Sequence, residues 1–254
     1  MKRSLINFLI PFLLFHPASS FAQQQKITVA VAANMQYAFN DLKTEFEKIS
    51  HIHVDAVIGA SGNLTRQIIQ GAPFDVFISA DTKYPENIYS QGFAEEKPRI
   101  YARGALVLWT TKQGLQLKPD LRFLLSDNIK SIAIANPKIA PYGSAAVSLL
   151  KKFSLFESLK NKLVYGESIS QTSQFIATGN ADIGFTAKAV VLSDQMKNKG
   201  RWIELSNKDY PPIFQSAVLL KYGMKNHSVA ARKFYEFLFS KNAKDIYKKY
   251  GYIN

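Results

Sequence analysis

Two successive runs of alternating strands and helices predict an α/β protein of two lobes, each built on a mixed but mainly parallel sheet. The first run extends from Lys26 to Asp81 and the second from Gly104 to Ala187. No Gly-, Pro- or Ser-rich linker and no internal repeat lies between them, so two strand crossings are expected to form the hinge. At 254 residues, with 47% hydrophobic side chains, the chain has material for two such cores.

The elements follow in order. "KITVAVA", Lys26 to Ala32, is an apolar strand, and Asn34 behind it is suited to capping a helix. Met35, Ala38, Phe39, Leu42, Phe46 and Ile49 then recur at helical spacing. "HVDAVIG" is a second strand, "NLTRQIIQ" a short helix stopped by Gly71, and "FDVFISA" a third strand. The grammar repeats with "GALVLWTT" and "SIAIANP" as strands, "SAAVSLLKKF" and "SQTSQFIAT" as helices, and "ADIGFTA" as a strand. "PIFQSAVLL" is a late strand; "SVAARKFYEFLFS" and "AKDIYKKYG" are helices, with Ala230, Phe234, Phe237 and Leu238 on one face. Crossings near Tyr101 to Leu106 and near Pro212 to Val218 divide the chain into residues 23–105 plus 214–254 as one lobe and 106–213 as the other.

The opening "MKRSLINFLIPFLLFHPASSFA" sets Lys2 and Arg3 before an apolar run from Leu5 to Phe15 and ends on small residues. It reads as a secretory signal, residues 1–22, removed after Ala22. A membrane anchor needs about 20 apolar residues, and this run is about half that length and holds Pro11. With no cysteine there is no disulfide, thiolate site or lipidated anchor, and a free exported protein suits a periplasm. The net charge of +13 falls by two with the signal. A basic chain can steer anions or bind polyanions, but the charge is scattered, and the Lys-rich end "SKNAKDIYKKYGYIN" reads as a solvated helix face. Export and the lack of a reading motif exclude nucleic acid as a partner.

Four strand-to-helix turns carry the chemistry. Asn34, Ser61, Tyr142 with Gly143, and Ser168 with Ile169 each stand where a helix begins, two in each lobe. A helix start leaves backbone N–H groups unsatisfied and attracts an anion, and ligands of open α/β sheets bind at the C-terminal ends of strands. All four turns then face one cleft lined by neutral donors. Such a site favours a fully deprotonated oxyanion, because a stranded O–H costs about 1 to 3 kcal/mol. Asn34, Ser61 and Ser168 are equally what an ordinary N-cap uses, and Gly62 and Gly143 are equally turn glycines.

Other chemistries find less support. "IGASGN" departs from the G-x-S-x-G nucleophile elbow at Asn63, and His51, His53 and His227 offer no triad context. His51 and His53 could share a strand face, a weak metal signal without a third ligand. Neither nucleotide-binding glycine motif is present.

On these residues the sequence resembles the periplasmic molybdate-binding proteins of ABC uptake systems, over nearly all of the chain from "ITVAVAAN" to "YKKYGY". The segment "ASGNLTRQIIQGAPFDVFISAD" is the most specific part, with "NPKIAPYGSAA" and "GNADIGF" beside it. The resemblance implies a type II periplasmic-binding fold that holds molybdate, or tungstate, without cofactor, counter-charge or direct metal ligand. It implies delivery to an inner-membrane ABC permease and its ATPase, no enzymatic activity, and a monomer. Carried over residue by residue, the ligand contacts fall at Asn34, Ser61, Tyr142 and Ile169, the last through its backbone. Tyr142 contributes its backbone N–H, with the phenol as a further candidate donor. Some members place a Tyr hydroxyl where this chain has Ala187, which leaves selectivity among molybdate, tungstate and sulfate open. The alternatives are a receptor for sulfate or phosphate, or a basic exported polyanion binder. If Ser61 serves the ligand, Ser61→Ala is expected to weaken binding and leave the unliganded melting point nearly unchanged.

Overall fold

The computed structural model describes residues 25–253; the export segment lies outside them. The chain runs through β1 (Lys26–Ala32), a 3-10 turn at Ala33–Met35, α1 (Gln36–Ser50), β2 (His53–Gly59), α2 (Ser61–Ile69), β3 (Val76–Ser79), α3 (Lys83–Ser90) and β4 (Arg99–Gly104). It continues as β5 (Leu106–Thr110), β6 (Ile132–Ala135), α4 (Pro141–Lys152), α5 (Phe156–Leu159), β7 (Leu163–Gly166), α6 (Ile169–Ala177), β8 (Ile183–Ala187), α7 (Lys188–Val191) and β9 (Arg201–Glu204). It closes with β10 (Ile213–Leu219), α8 (Lys221–Asn226), α9 (Ser228–Phe237) and α10 (Lys241–Lys249).

Two five-stranded sheets result, ordered β2-β1-β3-β10-β4 and β7-β6-β8-β5-β9. In each, three strands joined by helical crossovers are parallel, and the other two pairings are antiparallel. Parallel pairing therefore does not predominate. The antiparallel partners arise where the chain passes from one sheet to the other and back. It leaves the first sheet at Gly104, Ala105 and Leu106, and returns through residues 205–212. The Leu106 N–H donates to the Tyr210 hydroxyl at 3.0 Å, tying one passage to the other.

Period-two alternation explains why the first sheet is covered on both faces. Ile27, Val29 and Val31 of β1 enter the core beneath α1, α9 and α10, while Ala30 enters the core beneath α2 and α3. Ala38, Phe39, Leu42 and Phe46 form the buried stripe of α1. Phe46 meets Phe234 of α9 edge to face at 5.0 Å and Phe237 at 5.4 Å; each such pair adds about 0.5 to 1.5 kcal/mol beyond its buried area. Ile49 falls on the expected stripe but is 54% exposed, because α1 ends there. His51 caps that end in a left-handed conformation, φ 59°, with its N–H on the Glu47 carbonyl. His51 thus precedes β2 and shares no strand face with His53. At the other end of the chain the lysines of α10 are solvated as expected, but Tyr247, Tyr250 and Tyr252 are buried.

Candidate functional site

The parallel strands of the two sheets direct their C-terminal ends toward each other, and the elements that follow β1, β2, β6 and β7 meet there. One cavity is lined by Asn34, Ser61, Tyr142 and Ile169 together. The rest of the lining is Pro141 and five alanines: Ala32, Ala33, Ala60, Ala80 and Ala140. No carboxylate, lysine, arginine or histidine is among these residues. Small apolar side chains bring the backbone close to whatever the cavity holds, and Ser61, Tyr142 and Ile169 lie in the first turns of α2, α4 and α6. The N–H groups of a first turn have no acceptor within their own helix.

Three expected caps resolve into one. Ser168 does cap α6, its hydroxyl accepting from the Gln171 N–H at 3.3 Å. Ser61 instead occupies the first helical position after Ala60, and its Oγ accepts from the Ala80 N–H at 3.1 Å. That bond leaves the hydroxyl proton available to an anion. Asn34 lies inside the 3-10 turn, and its Nδ2 donates to Gln215 Oε1 at 2.7 Å and to Tyr252 Oη at 3.0 Å. Both amide protons are thereby engaged, so Asn34 has only its backbone N–H to offer a ligand. Tyr252 returns its own proton to the Asn34 carbonyl at 3.0 Å. Tyr142 and Gly143 belong to α4 itself, which begins at Pro141 rather than after Gly143. Burial foremost, then Tyr252 and Tyr210, pushes the Tyr142 phenol well above its ordinary pKa, so it stays a neutral group.

The lobes are in direct contact across the cavity. The Gly62 N–H donates to the Ile139 carbonyl at 3.0 Å, and the Tyr84 hydroxyl donates to the Lys138 carbonyl at 3.1 Å. On the other lip the Ser170 hydroxyl donates to Gln36 Oε1. These contacts describe a closed form. Neither Gln36 nor Tyr84 carries a sequence signal for this role, since each reads as an ordinary helix residue. Gln215 carried one: with Ile213 and Ala217 it shares the buried face of β10, where a lone amide is out of place.

A nucleophilic role for Ser61 has no partner. His53 pairs with Glu47 at 3.0 Å and Asp55 at 3.1 Å, and His227 with Asp75 at 2.7 Å; neither these nor His51 line the cavity. Among the described residues no group of His, Asp and Glu is placed to hold a metal ion.

A two-lobed fold closed over a cavity lined by neutral donors is the architecture of a solute-binding protein. Comparison with known proteins places it further. A family model described as bacterial extracellular solute-binding protein matches residues 27–253. The molybdate-binding protein ModA of Azotobacter vinelandii is 41% identical over 233 residues, 91% of each chain. That of Rhodobacter capsulatus is 40% identical over 230 residues, 90% of this chain and 88% of the relative. Among solved structures, the periplasmic molybdate-binding protein of Azotobacter vinelandii superposes with a TM-score of 0.84 and 34% identity, over 90% of this chain and 99% of that one. The chain belongs to the bacterial extracellular solute-binding protein family, and it is a binding protein rather than an enzyme.

Proposed function

We propose that this protein captures molybdate, or the similar tungstate, between its lobes in the periplasm and presents the closed form to an inner-membrane ABC permease and its ATPase. The observation that carries the reading is the convergence of Asn34, Ser61, Tyr142 and Ile169 on one uncharged cavity, in a chain so similar to molybdate-binding proteins over nearly its whole length. The donors are the Ser61 hydroxyl and backbone N–H groups at the first turns. Each helix start adds roughly half a positive charge, and closure removes water that would screen it. The metal arrives inside its oxyanion, so no side chain ligates it and no cofactor is required. The lobes are residues 23–105 plus 214–254 and residues 106–213, hinged at the two passages, and the protein acts as a monomer after loss of residues 1–22. A ligand that bonds to both lobes favours the closed state by its differential affinity.

A thermal-shift comparison of molybdate, tungstate, sulfate and phosphate tests this. At ligand a hundred times above its dissociation constant the expected stabilisation is about 2.7 kcal/mol, a rise of roughly 5 to 10 °C for a chain of this size. Hydrogen phosphate should give the smallest shift, since its O–H meets donors. No shift with any of the four would sink the proposal, and a larger shift with sulfate than with molybdate would reassign the ligand. Affinity should also vary little with ionic strength, whereas a polyanion binder loses affinity steeply as salt is added.

A further inference from the structure

On one lip of the cavity, two neighbouring carbonyls of the second lobe accept from two donors of the first. The Lys138 and Ile139 carbonyls, in the turn between β6 and α4, receive the Tyr84 hydroxyl at 3.1 Å and the Gly62 N–H at 3.0 Å. Both halves are built for this. Asn136 folds the turn: its Oδ1 accepts from the Lys138 N–H at 3.0 Å, and its carbonyl accepts from the Ile139 and Ala140 N–H groups at 3.1 and 2.9 Å. Pro137 and Pro141 fix φ on either side, and the Ser144 hydroxyl donates to the Pro137 carbonyl at 2.7 Å. The turn is satisfied internally except for the two carbonyls that reach α2 and α3. On the first lobe Tyr84 stands at the start of α3, its N–H on Asp81 Oδ1 at 3.2 Å. Gly62 is the second residue of α2 and is absent from the positive-φ residues, so the demand for glycine there is one of space. An added Cβ would stand 2.7 Å from Tyr84 Oη, 2.9 Å from its Cζ and 3.1 Å from Ile139 Cα. The phenol can swing aside only by leaving the Lys138 carbonyl, and the Ile139 backbone can recede only by parting the lobes.

We propose that Gly62 and Tyr84 latch the first lobe onto the Lys138–Ile139 turn, and that they are positioning residues that set affinity by holding the lobes shut without touching the ligand. None of these four residues lines the cavity. The Gly62 N–H, which a first-turn anion site would claim, is spent on the other lobe. Because α2 and α3 belong to one sheet's connections and the turn to the other's, both bonds exist only while the lobes are together. The apparent affinity of a receptor falls in proportion to the fraction of molecules in the binding-competent form. A weakened latch therefore lowers affinity for every ligand by one common factor, whereas a lost ligand contact changes the ratio between ligands. The proposal rests on the oxyanion-receptor reading above, since it concerns the closure that a ligand selects.

The test is calorimetric titration of sodium molybdate, sodium tungstate and, where wild type binds it, sodium sulfate into wild type, Gly62→Ala, Tyr84→Phe and the double variant. Gly62→Ala wedges the latch open, and a loss of affinity of about tenfold is expected. Tyr84→Phe removes one hydrogen bond and should cost about threefold. Each variant should lose the same factor for every anion. The double variant should bind about as Gly62→Ala does, because the added methyl already displaces the phenol from Lys138. Wild-type affinity in both single variants, factors that differ between anions, or a double loss equal to the product of the single ones would overturn the proposal. The constant is read on the folded fraction, so a poorly folding Gly62→Ala changes the stoichiometry only, and Tyr84→Phe decides by itself if that variant fails to fold. If wild type bound none of the four oxyanions, the receptor reading itself would fall; if wild type binds and the variants bind equally, only the latch falls.

Discussion

Ser61→Ala is expected to weaken molybdate binding by about 10- to 100-fold, the equivalent of one hydrogen bond to a charged group, and also to destabilise the unliganded protein. The second effect follows from the Ala80 N–H, which donates to Ser61 Oγ at 3.1 Å in a buried setting. Removing the acceptor strands that N–H at a cost of about 1 to 3 kcal/mol, a fall in melting temperature of roughly 2 to 10 °C. The sequence alone suggests an unchanged melting point for a hydroxyl reserved for the ligand, and the Ala80 bond overturns that expectation. One oxygen serves both purposes: its lone pair fixes the end of β3 against α2, and its proton is left for the anion. The two effects separate experimentally, because a titration on the folded fraction reports affinity alone. Wild-type affinity in a variant with a lowered melting point would leave Ser61 a structural role only.

The same contrast between local and distant partners decides how much of this protein is legible in its sequence. β1, β3, β6, β8 and β10 are apolar runs buried nearly throughout, and they could be placed by composition alone. β4, β7 and β9 could not be resolved as strands. Each lies at an edge of its sheet; β4 and β9 each expose two residues and show neither an apolar run nor a clean alternation, and β7 offers only the three apolar residues Leu163, Val164 and Tyr165 before Gly166. α3 was hidden for another reason: it is short and carries Pro85 in its first turn. At the cavity, the four turns were legible because helix starts have a local chemistry, and the resemblance singled out Asn34, Ser61, Tyr142 and Ile169 within them, all of which line the cavity. Their side-chain roles were not legible. Asn34 is held by residues 181 and 218 positions away, and no pattern within a turn of Asn34 announces Gln215 or Tyr252. The Lys-rich end illustrates the converse, since its charges mask the buried tyrosines that reach back to the hinge and the cavity.

Gly143→Ala should lower stability by about 3 kcal/mol, at the upper end of what overpacking costs, and the melting temperature by roughly 6 to 12 °C. Gly143 reads in sequence as a turn glycine, yet it sits inside the first turn of α4 and is absent from the positive-φ residues. Its conformation is therefore open to alanine, and the demand is one of space. An added Cβ would stand 2.0 Å from the Ala135 carbonyl oxygen and 2.7 Å from its carbon. These are backbone atoms at the end of β6, paired to β7 and β8, and unlike a side chain they cannot swing aside. The helix must lift from the sheet, and Tyr142, one residue earlier, lifts with it. Loss of molybdate binding should therefore accompany the loss of stability, because the first turn of α4 no longer faces α2 across the cavity. Gly59 is the internal control. It too ends a parallel strand beside a helix start, but a Cβ there would meet only the Leu64 side chain at 3.4 Å, an ordinary contact. Gly59→Ala should change stability by no more than about 0.5 kcal/mol, or raise it slightly by restricting the unfolded chain. Urea titration of the two variants at neutral pH makes the comparison: equal midpoints would mean that α4 can slide along β6 and that close approach at Gly143 does not set the geometry of the cavity.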